Sequence, residues 1–267
     1  MKEKLRRDHP GLFSVLRRIN GLRLAALTPI QRARRQAQRR LMYRRVFRRR
    51  PQLLAQLRER SVVRVAFVII HRAVWKLDIV FQTMLADPRF EPFIVIAPDV
   101  SNDAAWTANE QDRCLTFFAE RNWPVHVGAT DSNGGATLSE LQPDVVFLTN
   151  PHRLTTSAFY DVALENFLTC YVPYSMDVSQ YGDSQTQYNL PFHNAIWQIF
   201  APHQVSRDTF AKVQDIGGRN VVLAGYPGIE PLVATTEDPT SAWKPQGRNK
   251  LKIIWAPHHT IDVPELP

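Results

Sequence analysis

Cysteine is nearly missing from this sequence. Its two thiols among 267 residues, Cys114 and Cys170, stand far apart, each within an apolar stretch. That argues against a disulfide framework and a zinc cluster, and fits a reducing, cytoplasmic setting. Glycine is sparse as well, at 11 residues. The first β-like run exits as IIHRAVWK without a G-x-G-x-x-G, and there is no Walker loop or G-x-S-x-G elbow, which disfavours the commonest dinucleotide sites, nucleotide triphosphatases and hydrolases. No histidines stand at i, i+4 and no Cys/His cluster occurs, so no bound metal is expected. Long apolar runs are lacking too. VAFVII at 65–70 is far too short to span a bilayer, and MKEKLRRDHPGLF has no continuous apolar core. The expectation is therefore a protein neither transmembrane nor exported through a signal peptide.

Acid is scarce at one end only. Residues 1–60 hold 19 of the 33 Lys and Arg but three of the 25 acids, a net charge of +16 against −8 for the remainder. A basic arm thus precedes a mildly acidic body. Within the arm, Leu12, Val15, Leu16, Ile19 and Leu22 line one helical face, Asn20-Gly21 reads as a stop, and Thr28-Pro29 opens a second helix carrying Ile30, Ala33, Ala37 and Leu41 on one side. From Tyr43 to Arg50 arginine goes all the way round, so that stretch is not expected to bury a face. Three readings are open for the arm: a solvated extension packed on the body, a nucleic-acid contact, and a membrane-surface helix. The last is the expectation, with Arg34, Arg35, Arg39, Arg40, Arg44 and Arg45 meeting anionic lipid on the inner face of the cell membrane and no nucleic-acid partner.

In the body, 61–226, seven short runs without strict alternation are separated by helical stretches: VVRVAFVII (62–70), PFIVIAP (92–98), PVHVGA (124–129), DVVFLTN (144–150), LTCYVPY (168–174), AIWQIFA (195–201) and NVVLAGY (220–226). Strands apolar on both faces that alternate with helices make a parallel sheet covered on both sides, a doubly wound, Rossmann-like α/β domain. Helices are expected over Trp75–Leu85, after a Ser101 or Asn102 cap, from Thr155 or Thr156 to Phe167, and over Ser206–Asp215. Asn133-Gly134-Gly135 reads as a turn.

Ligands collect at the carboxyl ends of such strands. The residues that follow the runs form a polar series: His71 and Arg72; Asn150, His152 and Arg153; Tyr174, Ser175 and Asp177; and YNLPFHN, which includes Asn189 and His193. His71, His152 and His193 are the histidines placed on this rim, where an imidazole could serve as a base for an attacking hydroxyl. His9, His126 and His203 read as structural. Of His258 and His259, whose side chains point opposite ways in an extended backbone, His258 is the one expected to face inward.

HRAVWKLDIVFQTMLADPRFEPFIVIAP, QPDVVFLTNP, YVPYSM, YNLPFHNAIWQIFA, NVVLAGYPGIE and KIIWAPHHTI, taken in order, resemble the amino-terminal half of the CDP-glycerol glycerophosphotransferase family of teichoic acid and capsule polymer synthesis. The resemblance implies a two-domain glycosyltransferase-B-like architecture, with an acceptor-side domain at 61–226, a linker at 227–250 and, at 251–267, the first strand of a truncated donor domain. It implies no cofactor. The donor is CDP-glycerol or another nucleotide-activated compound, and the acceptor a lipid-linked or polymeric glycan. On this reading His258, His71 and His193 are the catalytic candidates, and Asn150, His152, Tyr174, Ser175 and Asn189 line the acceptor cleft. Where better-studied members carry a Trp-His-Gly-like motif this chain has YVPYSM, so the base assigned there does not carry over. The truncated chain is expected to be inactive or nearly so. Two rivals stay open: a nucleotide-sugar glycosyltransferase of the same architecture, and a noncatalytic membrane-attached module that holds a glycan or partner.

Overall fold

The computed structural model describes residues 10–129, 134–173, 175–176, 184–230 and 233, with the side chains of the first helix described at 33, 34 and from 36 onward. The chain divides into two compact units, Met1–Gly228 and Ile229–Pro267. The expected first strand of a donor domain at 251–267, with His258, lies outside the described residues, as do most of the 227–250 linker, Tyr174 and Asp177.

The basic arm is one helix, α1 (Pro10–Arg58), not two. Gly21 costs a helix about 1 kcal/mol, which flanking Arg, Leu, Ala and Gln, all strong helix formers, offset. Pro29 continues the helix instead of opening it. The expectation that 43–50 cannot bury a face also fails. Val46 is 5% exposed, Met42 and Tyr43 pack on the same cluster, and Leu53, Leu54 and Leu57 pack on the next one. Tyr43, Val46, Arg50, Leu53 and Leu57 follow the i, i+3, i+7, i+10, i+14 rhythm of one helical face, and the long arginines that flank it turn outward. Arg50 closes the contact by donating to the Ala195 carbonyl at 2.7 Å.

All seven expected strands form: β1 (Val63–Ile69), β2 (Phe90–Ile96), β3 (Val125–Val127), β4 (Val145–Leu148), β5 (Leu168–Tyr171), β6 (Gln198–Ala201) and β7 (Val221–Leu223). They make one parallel sheet in the order β3-β2-β1-β4-β5-β6-β7. Chain order reverses between β1 and β4, where a crevice opens in doubly wound sheets. Both faces of the central strands β1, β2, β4 and β5 are buried, which is why they read as continuous apolar runs. Ala66, Val68 and Ile70 join one cluster with Val146, Leu148 and Val46; Val65, Phe67 and Ile69 join the other with Phe81, Cys114 and Phe118.

The helices between strands are α2 (Asp78–Ala86), α3 (Ala104–Ala119), α4 (Leu138–Leu141), α5 (Asp161–Asn166), α6 (Gln185–Tyr188), α7 (Pro191–Ala195) and α8 (Gln204–Val213). Asp103, not Ser101 or Asn102, caps α3, accepting from the Trp106 amide at 2.8 Å. The other two side chains are engaged by Asp99. The expected helix over 155–167 shortens to α5, since Thr156 closes only a turn through its carbonyl. Of the expected turn at 133–135, Asn133 lies outside the described residues, and Gly135 serves a close approach. A Cβ there would lie 2.6 Å from the Val127 carbonyl oxygen, so only glycine allows the chain to pair beside β3.

Candidate functional site

The register of β1 with β2 pairs Ile69 with Ile96, so the residues that leave these strands emerge side by side at the carboxyl edge. His71 follows β1 and Asp99 follows β2. His71 Nε2 stands 3.3 Å from Asp99 Oδ2, whose side chain is 1% exposed. Asp99 Oδ1 accepts the Ser101 amide and hydroxyl, both at 2.6 Å, and Oδ2 accepts Asn102 Nδ2 at 2.9 Å. Burial pushes this carboxyl up, but the Ser101 and Asn102 hydrogen bonds and the neighbouring His71 outweigh it and hold the group below the ordinary range. The carboxylate is fixed, and it fixes the imidazole in turn. The carboxylate therefore draws Nε2 toward itself and leaves Nδ1 as the ring nitrogen on the other side. The edge of Trp106, 5.3 Å away between ring centres, holds the ring from one side.

Two further side chains border this turn. The Arg72 amide donates to Glu110 Oε1 at 2.8 Å. Lys76, between the 3-10 turn Arg72–Val74 and α2, is only 9% exposed. Burial pushes its ammonium down to about 7. Sequence reading missed both Asp99 and Lys76. The signal for Lys76 was its place in Trp75-Lys76-Leu77, a lone cation between two large apolar residues directly after a strand.

Other expected site residues fall in different places. Asn150 follows β4, and its Oδ1 accepts the His152 amide at 2.8 Å in a local turn, after which the Leu154 carbonyl accepts the Val100 amide at 2.8 Å. His152 and Arg153 line a cavity of about 810 Å³ against Arg39, Arg45, Met42 and Phe192, a cavity bordered by neither His71 nor Lys76. Arg153 is engaged by Asp161 at 2.7 Å. Ser175, half-buried, follows β5.

His193 is a correction. Expected in a loop on the rim, it belongs to α7 and is fully buried. Its ring packs among Tyr171, Phe192 and Phe210, and Nδ1 accepts the Leu190 amide at 3.1 Å. Burial first, and then the charge of His152, push it down to about 3, so it is neutral and out of reach of solvent. Asn189 is half-buried and engaged in structural hydrogen bonds. It donates to Gln185 and Asp215 and accepts from Asn194 and the Asp215 amide, tying α6, α7 and the end of α8 together. His203, read as structural, caps α8 by accepting the Ser206 amide at 3.1 Å.

On the arm, Arg34, Arg39, Arg40 and Arg44 are exposed, and the side chain of Arg35 lies outside the described residues. Arg45 is exposed too, yet pairs with Glu165 at 3.3 Å. Among the described residues no helix is long and apolar enough to cross a membrane, and no group of three His, Cys, Asp or Glu is placed to hold a metal.

No protein-family model and no curated protein matches this chain. Solved structures do. A UDP-N-acetylglucosamine 2-epimerase is similar at 15% identity and a TM-score of 0.45 over 67% of this chain and 52% of its own. The Neisseria meningitidis UDP-GlcNAc 2-epimerase bound to UDP-GlcNAc matches at 14% and 0.43 over 66% and 50%. The S. aureus MnaA–UDP structure matches at 14% and 0.43 over 68% and 48%. The chain spans about half the length of the solved structures it matches.

Proposed function

We propose that this chain supplies one lobe of a glycosyltransferase-B-type enzyme that acts on a nucleotide-activated donor, with the His71 imidazole as general base. The observation that carries the reading is the His71–Asp99 pair, held at the carboxyl edge beside the reversal of strand order. A hydroxyl of the acceptor gives its proton to His71 Nδ1 while its oxygen attacks, and Asp99 stabilises the imidazolium that results. With a nucleotide sugar the new bond is C–O and the nucleoside diphosphate leaves with the electron pair. With CDP-glycerol the new bond is P–O at the β-phosphorus and cytidine monophosphate leaves. The sequence resemblance supports the second donor; the fold accommodates both.

The test pairs binding with release. Saturation-transfer NMR on the 267-residue chain with UDP-GlcNAc, CDP-glycerol and an unrelated nucleotide sugar identifies the donor. A nucleotide-release assay on wild type and His71→Gln then reads the chemistry: a single lobe is expected to turn over slowly at most, with binding kept and the residual release at least tenfold slower in the variant. Absence of binding by every donor sinks the reading, and binding with release equal in both proteins removes His71 as the base.

The reading includes a membrane partner. Arg34, Arg39, Arg40 and Arg44, exposed along α1, would each contribute about 1 kcal/mol at an anionic surface. Liposome flotation with and without phosphatidylglycerol checks this, and equal recovery in both removes the partner.

A further inference from the structure

Lys76, beside the exit of β1, is a cation whose burial has no visible compensation. Among the described residues no hydrogen-bond acceptor meets its Nζ. The carboxylates nearest in sequence around the site are taken: Asp99 by Ser101, Asn102 and His71, and Glu110 by the Arg72 amide. A buried ammonium without a counter-charge is costly, so such a group is paired, loses its proton, or waits for an anion.

Its place in the fold favours the last. Gly228, beyond β7, lies against Lys76; a Cβ added there would be 3.4 Å from Lys76 Cβ and 2.8 Å from the Tyr226 ring. Three strands separate β7 from β1 in the sheet. The backbone after β7 therefore runs back across the carboxyl edge to reach the turn after β1. Lys76 stands where that crossing segment meets the β1 exit, five residues beyond His71, on the edge where ligands of doubly wound sheets collect.

We propose that Lys76 is the anion anchor of this crevice and receives a phosphate group, of the phosphomonoester or diphosphate class. The choice of phosphate over other anions rests on the reading of the crevice as a site for nucleotide-activated donors; a lone ammonium engages phosphate as a point charge. Its proton balance is simple. An ammonium that is partly deprotonated in the free protein takes up a proton from solvent as the anion arrives.

The experiment uses the 267-residue chain with inorganic phosphate, diphosphate, glycerol 3-phosphate and, as a control anion, acetate, all at matched ionic strength. Calorimetric titration of wild type, Lys76→Met and Lys76→Arg should show phosphate binding that weakens at least tenfold in the methionine variant and is partly kept in the arginine variant. In wild type at about pH 8, titration with phosphate in buffers of different ionisation enthalpy should show proton uptake on binding that acetate does not produce, a measurement that stands even if a variant fails to fold. Phosphate affinity of Lys76→Met within twofold of wild type, binding without proton uptake, or an equal response to acetate overturns the proposal. If phosphate binds through Lys76 while no nucleotide-activated donor binds, the anchor stands and the proposed transferase fails.

Discussion

Arg50 and Lys76 are both cations drawn in from the surface, and they occupy opposite situations. Arg50 lies half-buried where α1 meets α7, and its guanidinium ends on the Ala195 carbonyl at 2.7 Å, at the C-terminal end of that short helix. Unsatisfied carbonyls there take a cation readily, and the bond fastens the arm to the body. Lys76 is more deeply buried, and among the described residues nothing receives its Nζ. The same physical cost is answered within the fold in one region and left unanswered in the other. A cation with an internal partner has a structural task, whereas an orphaned one costs stability, a cost that fits the proposed anion anchor.

One substitution applied at both places separates them. Lys76→Met should stabilise the protein, by a few kcal/mol at neutral pH, because it removes a buried ammonium whose pKa is pushed from the ordinary lysine value down to about 7. The sign fixes the pH window. Between about pH 7 and 10.5 the unfolded chain binds the proton that the folded chain has lost, so wild-type stability rises across that window and the variant loses this slope. Urea unfolding at pH 7 and pH 9.5 reads both effects, and a destabilised Lys76→Met would make Lys76 a structural residue like Arg50.

His193 supplies the next largest effect, and it is one of acid. Burial pushes the imidazole down to about 3, so between about pH 6.5 and 3 the unfolded chain takes up a proton that the folded chain refuses. Stability is lost as pH falls through that range, by about 2 kcal/mol at pH 5 from this group alone. His193→Asn, which keeps a side-chain acceptor for the Leu190 amide, should unfold with a shallower acid dependence than wild type. Arg50→Met should go the opposite way from Lys76→Met, losing about 2 kcal/mol with the charge-assisted bond to Ala195. A neutral result would mean that the apolar stripe of Val46, Leu53 and Leu57 alone holds the arm.

How far these sites could be read beforehand follows from the range of the forces that make them. The central strands β1, β2, β4 and β5 were legible because they are buried on both faces, so the signal lies within a few consecutive residues, and β3, β6 and β7 are short apolar runs of the same kind at or near the sheet edges. His71 was legible as a strand exit. Asp99 was not, because its meeting with His71 depends on the β1–β2 register, a relation between distant segments. Lys76 carried a local signal in its two large apolar neighbours, Trp75 and Leu77, but its place beside the segment after β7 depends on a contact between distant parts of the chain. The YNLPFHN stretch misled by its composition: Asn and Pro suggest a loop, but Pro191 occupies the first turn of α7, where its missing amide costs nothing, and the helix carries His193 inward. In the arm, reading arginines as a solvated ring hid the stripe, because one of its positions is itself an arginine.

The smallest effect belongs to a third cation, which sharpens the contrast between the other two. Arg45 lies one turn from Arg49 on α1 and pairs with Glu165 at 3.3 Å, but its side chain is 65% exposed. Water screens the pair and both side chains give up rotamer freedom to form it, so Glu165→Gln should cost less than about 1 kcal/mol, and less still in added salt. The same substitution frees Arg45 to join Arg39, Arg40 and Arg44 on the exposed face. Flotation on phosphatidylglycerol liposomes should then be unchanged or slightly stronger, whereas weaker recovery would show that the ion pair orders the arm for its surface. A stability loss comparable to that of Arg50→Met would mean that partnership, independent of burial, sets the worth of a cation in this molecule.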